Sequence, residues 1–373
     1  MDANLLDIFS SLTCVRRAQA KQYVLANMLL FCVFGILCGA HSYAGLSSFI
    51  EEKFDILQAA FPSKMKRAPA ASTLWRIIGK ICLAELEAAF RKHAADLHRA
   101  LGGGPGSLIA YDGKSSKGSY DTGAGVKMSQ LLRAFSVGTE IILGHIAIME
   151  KSNEIPAMQT LLRELGLPGT VCTGDALHCQ IKTVEAAKES GGDALLQVKS
   201  NQPSLESAFE ALPSKEKPSD TYVEKGKIAR NRQETREVAV FTAGSLLGLP
   251  EWNANATEAV RVTRTVMRKD VETGWKWRSS HEVAWFASTQ DDMGAKYYAT
   301  ATRGHWGIEN CVHRPLDVAM HEDASRVRKS PNILSILRSF ALNILRYNKV
   351  RNVGGALWRN ALNFNRVLAF AGT

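Results

Sequence analysis

The chain has 373 residues, 46% of them hydrophobic and 22% charged, a balance ordinary for a globular protein with room for more than one domain. Lys and Arg outnumber Asp and Glu by 46 to 36, and the net charge of +10 favours a polyanionic partner, either nucleic acid or an anionic membrane surface. The seven cysteines (Cys14, Cys32, Cys38, Cys82, Cys172, Cys179 and Cys311) are odd in number, form no C-x-x-C pair and mostly sit in apolar stretches, which argues against a disulfide framework or a zinc site and for reduced, buried thiols in the cytoplasm.

Up to about residue 100 the pattern is helical. Tyr23–Ala40 is strongly apolar, yet it carries Asn27 and two glycines and falls short of the roughly 20 residues a membrane span needs. It reads as a buried helix of an N-terminal helical domain, 1–101. A basic connector, Pro62–Pro69, follows, and Ser72-Thr73 reads as the N-cap of a helix through Trp75, Ile77, Ile78 and Ile81. Phe61–Ala100 holds eight Lys/Arg against three Asp/Glu, so this part either faces DNA or is a solvated helix face.

The Gly-rich run Gly102–Gly106 holds neither helix nor strand and marks a boundary. Beyond it Ser107–Asp112, Leu131–Gly138 and Ile141–Ile148 read as strands and Ile155–Leu165 as a helix. Thr170–Gly174 is a short strand, His178–Ser190 a helix and Ala194–Val198 a fifth strand. The order β-β-β-α-β-α-β is an α/β mixed sheet with flanking helices. Residues 200–284 turn polar and alternating, with strands at Arg236–Ala243 and Ala259–Arg268, and read as a β-rich insertion. After the apolar strand Val283–Ala287, Met293–Val312 and Ser330–Tyr347 return to helical periodicity. The expected catalytic domain is thus 107–199 and 285–350, with 351–373 a C-terminal tail or helix.

Asp112 ends the first of these strands, Asp175 follows the fourth, and Glu309 lies on the helix after the insertion. Strand ends in such a sheet open onto a common crevice, where a returning helix can add a third carboxylate. Three carboxylates without a thiolate form a hard oxygen site suited to two Mg²⁺ or Mn²⁺ ions, the equipment of phosphodiester displacement. Each residue also has a bland reading, as a turn, a cap or an exposed helix residue. The spacing, 63 positions and then 134, leaves the fold to bring them together.

The segments Ala110–Ser115, Glu150–Ala157, Gly174–Gln180, Gln197–Gln202, His305–Asn310 and Leu316–Asp323 resemble those of the H-repeat-associated proteins, in the insertion-sequence As1 group of transposases. The likeness runs in matching order from about residue 7 to 350. It implies an RNase H-like domain interrupted by a β-rich insertion, with Asp112, Asp175 and Glu309 as the catalytic triad. It departs from the family at Arg314-Pro315, where a Trp commonly follows the histidine, and at Arg230-Asn231-Arg232-Gln233. Asn153-Glu154 match a family motif whose role the residues do not reveal.

Around the triad, Lys199, Asn201 and Gln202 are candidates to contact phosphate or to order a ligand, against a plain polar turn. Lys114 and Lys117 are phosphate contacts or solvated turn residues. Arg303 is placed to hold a phosphate. Trp306 either stacks on an unpaired base or packs in the core. His305, Glu309 and His313 fall at i, i+4 and i+8, but the H-E-x-x-H order of a zinc helix is absent. The expected activity is a transposase that frees a 3′-OH at its element's terminal inverted repeats and joins it to target DNA. It would work as a homodimer on double-stranded DNA, on the nucleoid and away from any membrane. The alternatives are an immobile DNA-binding descendant, a metal-dependent nuclease that cuts without joining, and a membrane-attached protein.

Overall fold

A computed structural model describes residues 4–13, 22–116, 129–148, 154–243, 247–270, 274–327 and 330–373; Cys14, Lys117 and Asn153 lie outside the described residues. In chain order the helices and strands are α1 (Leu5–Ser10), α2 (Leu25–Leu37), α3 (Tyr43–Glu52), α4 (Phe54–Ala60), α5 (Ala71–Ile78), α6 (Leu83–Ala100), β1 (Leu108–Ser116), β2 (Ser129–Ser136), β3 (Ile141–Ile148), α7 (Glu154–Leu165), β4 (Val171–Gly174), α8 (Ile181–Glu189), β5 (Asp193–Val198), α9 (Pro203–Lys215), β6 (Asp220–Lys225), β7 (Arg232–Thr242), α10 (Pro250–Asn253), β8 (Glu258–Asp270), β9 (Lys276–Ser288), α11 (Ala295–His305), α12 (Pro331–Tyr347), α13 (Val353–Leu362) and α14 (Asn365–Leu368). The chain forms two compact units. One comprises Met1–Gly104, Asp112–Ala157 and Gly307–Thr373, the other Pro105–Tyr111 and Met158–Trp306.

In the first unit α2 is apolar all round, and all thirteen of its residues are buried. Such a helix must be covered on every side, and α1, α3, α12 and α13 pack against it. Its single amide, Asn27, donates to the Phe61 carbonyl at 3.2 Å. No helix of the described residues is long and apolar enough to cross a membrane. Helix α5 starts at Ala71 behind Ala70, with no side-chain cap. Ser72 and Thr73 therefore lie inside its first turn, not at its cap, and take contacts from Arg76 instead.

Strands β2 and β3 pair antiparallel, in the order β3-β2-β1. Edge strand β3 would leave backbone groups open; Asn343 of α12 covers two of them, accepting from Ile142 N at 2.9 Å and donating to Ile142 O at 2.8 Å. Beside it Arg133 of β2 places Nη2 2.8 and 2.9 Å from the Glu322 carboxylate and 2.9 Å from Ser335 Oγ, with both charged side chains at most 2% exposed. A second buried arginine, Arg338, donates to the carbonyls of Met320 and His41.

The second unit is a sheet in the order β1-β4-β5-β9-β8-β7-β6, parallel from β1 to β5 and antiparallel beyond. This is the mixed α/β sheet expected from the alternation. The stretch read as an insertion supplies α9 and β6–β9, and β9 pairs with β5 (Leu196↔Ala287), so its strands continue the same sheet. Strand β9 begins at Lys276, well before the expected Val283, because pairing with β8 carries its polar, solvent-exposed half. Val171, Leu195, Val238, Val240, Val260 and Val262 form the core with Tyr298 and Ala299 of α11.

Candidate active site

Asp112, on β1, sits where its carboxylate accepts from the Gly113 backbone N–H at 3.0 Å. Glu309 opens a short π-helical turn, Glu309–His313. His313 Nδ1 lies 3.0 Å from Glu309 Oε2 and 3.4 Å from Asp112 Oδ2. One ligand atom from each of these three residues lies within 4.8 Å of the others. The carboxylates stay accessible, with Asp112 32% and Glu309 50% exposed, while His313 is 1% exposed. Burial, with the positive charges of Arg133 and Lys114 behind it, pulls His313 down to about 2, so its ring is neutral. Of the three expected carboxylates, Asp112 and Glu309 thus lie close to each other. His313 joins them, although the sequence suggested it only as a member of a regular helix face with His305.

That regular face does not form, because α11 ends at His305 and the backbone widens into i→i+5 bonding at Glu309–His313 and again at Pro315–Ala319. Pro315 has no N–H to give the Cys311 carbonyl four residues earlier. Arg346 takes that carbonyl instead, through Nη2 at 2.9 Å. Wide turns of this kind recur at functional sites. The next one brings Asp317 to Lys114, with Nζ 2.7 Å from Oδ2. Burial works against the charged Lys114, but the hydrogen bond and charge of Asp317, with Asp323 and Glu309 nearby, raise its pKa overall. Asp317 is itself raised, by burial first and by Asp323 and Glu322, against the pull of Lys114. The sequence reading missed Asp317 as a partner, although it stands in the quoted segment Leu316–Asp323.

Asp175 belongs to the second unit. It caps a short 3-10 turn, Ala176–His178, accepting from Leu177 N at 3.0 Å, and its side chain is 53% exposed. Asn201 and Gln202 hold the same loop, Asn201 Nδ2 reaching the Ala176 carbonyl at 2.5 Å and Gln202 Nε2 the Cys179 carbonyl at 2.9 Å. Lys199 is exposed beside them. Half-buried His305 fixes the end of α11 to β4 through Nδ1 and Thr173 Oγ1, 2.9 Å apart. Burial lowers it to about 4, with Asp175 opposing and His178 assisting. Arg303 pairs with Glu224 at 2.9 Å. Trp306 is 62% exposed, which removes the reading of it as a core tryptophan.

Residues 103–344 match the family model described as the transposase DDE domain, and residues 6–94 match the model of the segment associated with it. Over 359 residues the chain is 30% identical to "H repeat-associated putative transposase YhhI" of Escherichia coli K12, covering 94% of this chain and 92% of that one. The same identity and coverage hold for "Putative protein YbfL" of the same strain. A DDE domain implies an RNase H-like fold, in keeping with the mixed sheet and its flanking helices. With this match over most of its length, the chain belongs to the family of transposases with a DDE domain.

Proposed function

We propose that this chain is an active DNA transposase that cleaves the ends of its element and joins the freed 3′-OH to target DNA. The observation that carries the reading is the convergence of Asp112 and Glu309, from a strand and from a helical turn far along the chain, on one half-open acidic site with His313. Oxygen donors of this kind fit Mg²⁺ or Mn²⁺. Asp112, Glu309 and Asp175 are the residues assigned to hold two such ions. When bound, the ions supply the Lewis acidity that activates an attacking oxygen and stabilises the leaving one. Asp175 is assigned from the family resemblance and from its place at the end of β4, the strand paired in parallel with β1.

The remaining residues position and neutralise. Lys114, drawn in by Asp317, offers a cation beside Asp112 for a backbone phosphate. Asn201 and Gln202 stiffen the loop that follows Asp175. Exposed Trp306 offers a face on which an unpaired base at the element end can stack. Arg303 and Lys199 offer further phosphate contacts, and handling two ends at once calls for a homodimer on the DNA.

A strand-transfer assay with purified protein, Mg²⁺ or Mn²⁺ and the DNA flanking its own gene tests the reading. Wild type is expected to cut and join. Asp112→Ala, Asp175→Ala and Glu309→Ala are each expected to abolish both steps while still binding DNA. Cutting without joining would identify a nuclease. DNA binding with no metal-dependent chemistry would identify an immobile descendant.

A further inference from the structure

Imidazole so close to two carboxylates can serve in either of two ways, as a nitrogen ligand or as a hydrogen-bond donor, and the two place the ring proton differently. Nδ1 of His313 faces Glu309 Oε2 and Asp112 Oδ2, both of which accept only. The proton therefore sits on Nδ1, whether the ring carries one proton or two. Nε2 is buried and has no hydrogen-bond partner among the described residues. Ligation through Nδ1 would move the proton of a neutral ring to Nε2, where it meets no acceptor among the described residues, and would take away the donor that faces the two carboxylates. As a donor, Nδ1–H instead bonds Glu309, on its own turn, at 3.0 Å, with Asp112 of β1 3.4 Å from the same nitrogen.

We propose that His313 is a positioning residue of the cation site, holding the Glu309 and Asp112 carboxylates at their spacing through Nδ1–H, and is not itself a ligand. The inference rests on the reading that Asp112 and Glu309 bind a divalent cation. It makes the ligand set all-oxygen, which favours Mg²⁺ and Mn²⁺ over the softer metals that seek imidazole. The protein reaches this arrangement through the widened turn, because Glu309 and His313 lie on the stretch between the end of α11 and Pro315.

The test uses Mn²⁺ as the probe, with the full-length protein and no DNA. Free Mn²⁺ is counted by electron paramagnetic resonance, and pulsed spectra of the bound ion report any directly bonded nitrogen. His313→Leu is expected to weaken Mn²⁺ binding about 10- to 100-fold, as loss of a ligand-orienting hydrogen bond does. His313→Asn, whose amide N–H can replace Nδ1–H, is expected to stay within about threefold of wild type. The wild-type spectrum is expected to show no directly coordinated nitrogen. A strong nitrogen coupling that vanishes in His313→Asn would overturn the proposal and make His313 a ligand, and so would unchanged affinity in His313→Leu. Should the leucine variant misfold by circular dichroism, the wild-type spectrum still decides. Mn²⁺ binding that survives both Asp112→Ala and Glu309→Ala would instead overturn the underlying cation reading.

Discussion

Substituting Glu322 by Gln removes one negative charge from between two buried guanidinium groups while leaving the side chain's shape nearly unchanged. In the native protein Arg133 Nη2 reaches both Glu322 oxygens, at 2.8 and 2.9 Å, and the Ser335 hydroxyl donates to the same carboxylate. Neither charged side chain of the pair is more than 2% exposed, so solvent cannot take over from the lost partner. Breaking such a pair from one side costs about 3–5 kcal/mol, because a buried charge is left uncompensated. That is roughly two to four powers of ten in the unfolding equilibrium. Hydrogen exchange of the β2 and α12 amides, read beside urea unfolding, reports the loss where it arises.

The acid limb adds a second readout. Burial alone would raise the Glu322 carboxyl, but Arg133, the Ser335 hydrogen bond and Arg338 together hold it below its ordinary value. A depressed folded value means the stabilisation is complete above the unfolded value of about 4.3 and is lost as pH falls through the folded one. The gap between wild type and Glu322→Gln should therefore narrow below about pH 4.3. Replacing both partners with apolar residues, Arg133→Met with Glu322→Leu, should recover part of the loss. A decrease of less than about 1 kcal/mol in the single variant, the value typical of an exposed pair, would refute this account of the network.

Gly192→Ala would place a Cβ 2.6 Å from the Thr170 carbonyl, a backbone atom already accepting from Asp193 N. A loss of about 1–3 kcal/mol in urea unfolding is expected, and an unchanged midpoint would contradict the close approach. His305, drawn down to about 4, should stay neutral in an NMR titration from pH 7.5 to 5. Its contribution to stability is complete above the unfolded value of about 6.5 and is lost as pH falls from there toward 4; titration near 6.5 would show the ring to be solvated. Trp306→Ala should leave thermal stability nearly unchanged, since the ring is 62% exposed. Binding to a DNA end with an unpaired base should weaken by about 1–3 kcal/mol, and equal affinity would remove Trp306 from the interface.

Where one pattern decides the structure, the residues alone were informative. Strand Ile141–Ile148 is found with the bounds its apolar run suggests, and Asp175 directly follows β4 as expected. Tyr23–Ala40 could be read as a buried helix because length and composition disfavour a span. Long-range partners decide the rest. The polar half of β9 has no hydrophobic alternation to betray it and is a strand only because β8 pairs with it. Ala70 rather than Ser72 precedes α5, a shift that local propensity does not resolve. His313 meets Asp112, on a strand far back in the chain, from a π-helical turn, and neither the long-range contact nor the wide turn leaves a periodic trace.

The burial of α2 also sets an order of events during synthesis. The helix ends at Leu37, whereas α12, which covers one of its sides, begins only at Pro331. At about 5–20 residues per second a ribosome needs roughly 15–60 s to make the intervening chain. Throughout that interval an uncharged helix, apolar but for Asn27, waits for the part of its cover that has yet to be made. Any message broken before α12 releases a polypeptide with that surface bare, a natural substrate for chaperones and proteases.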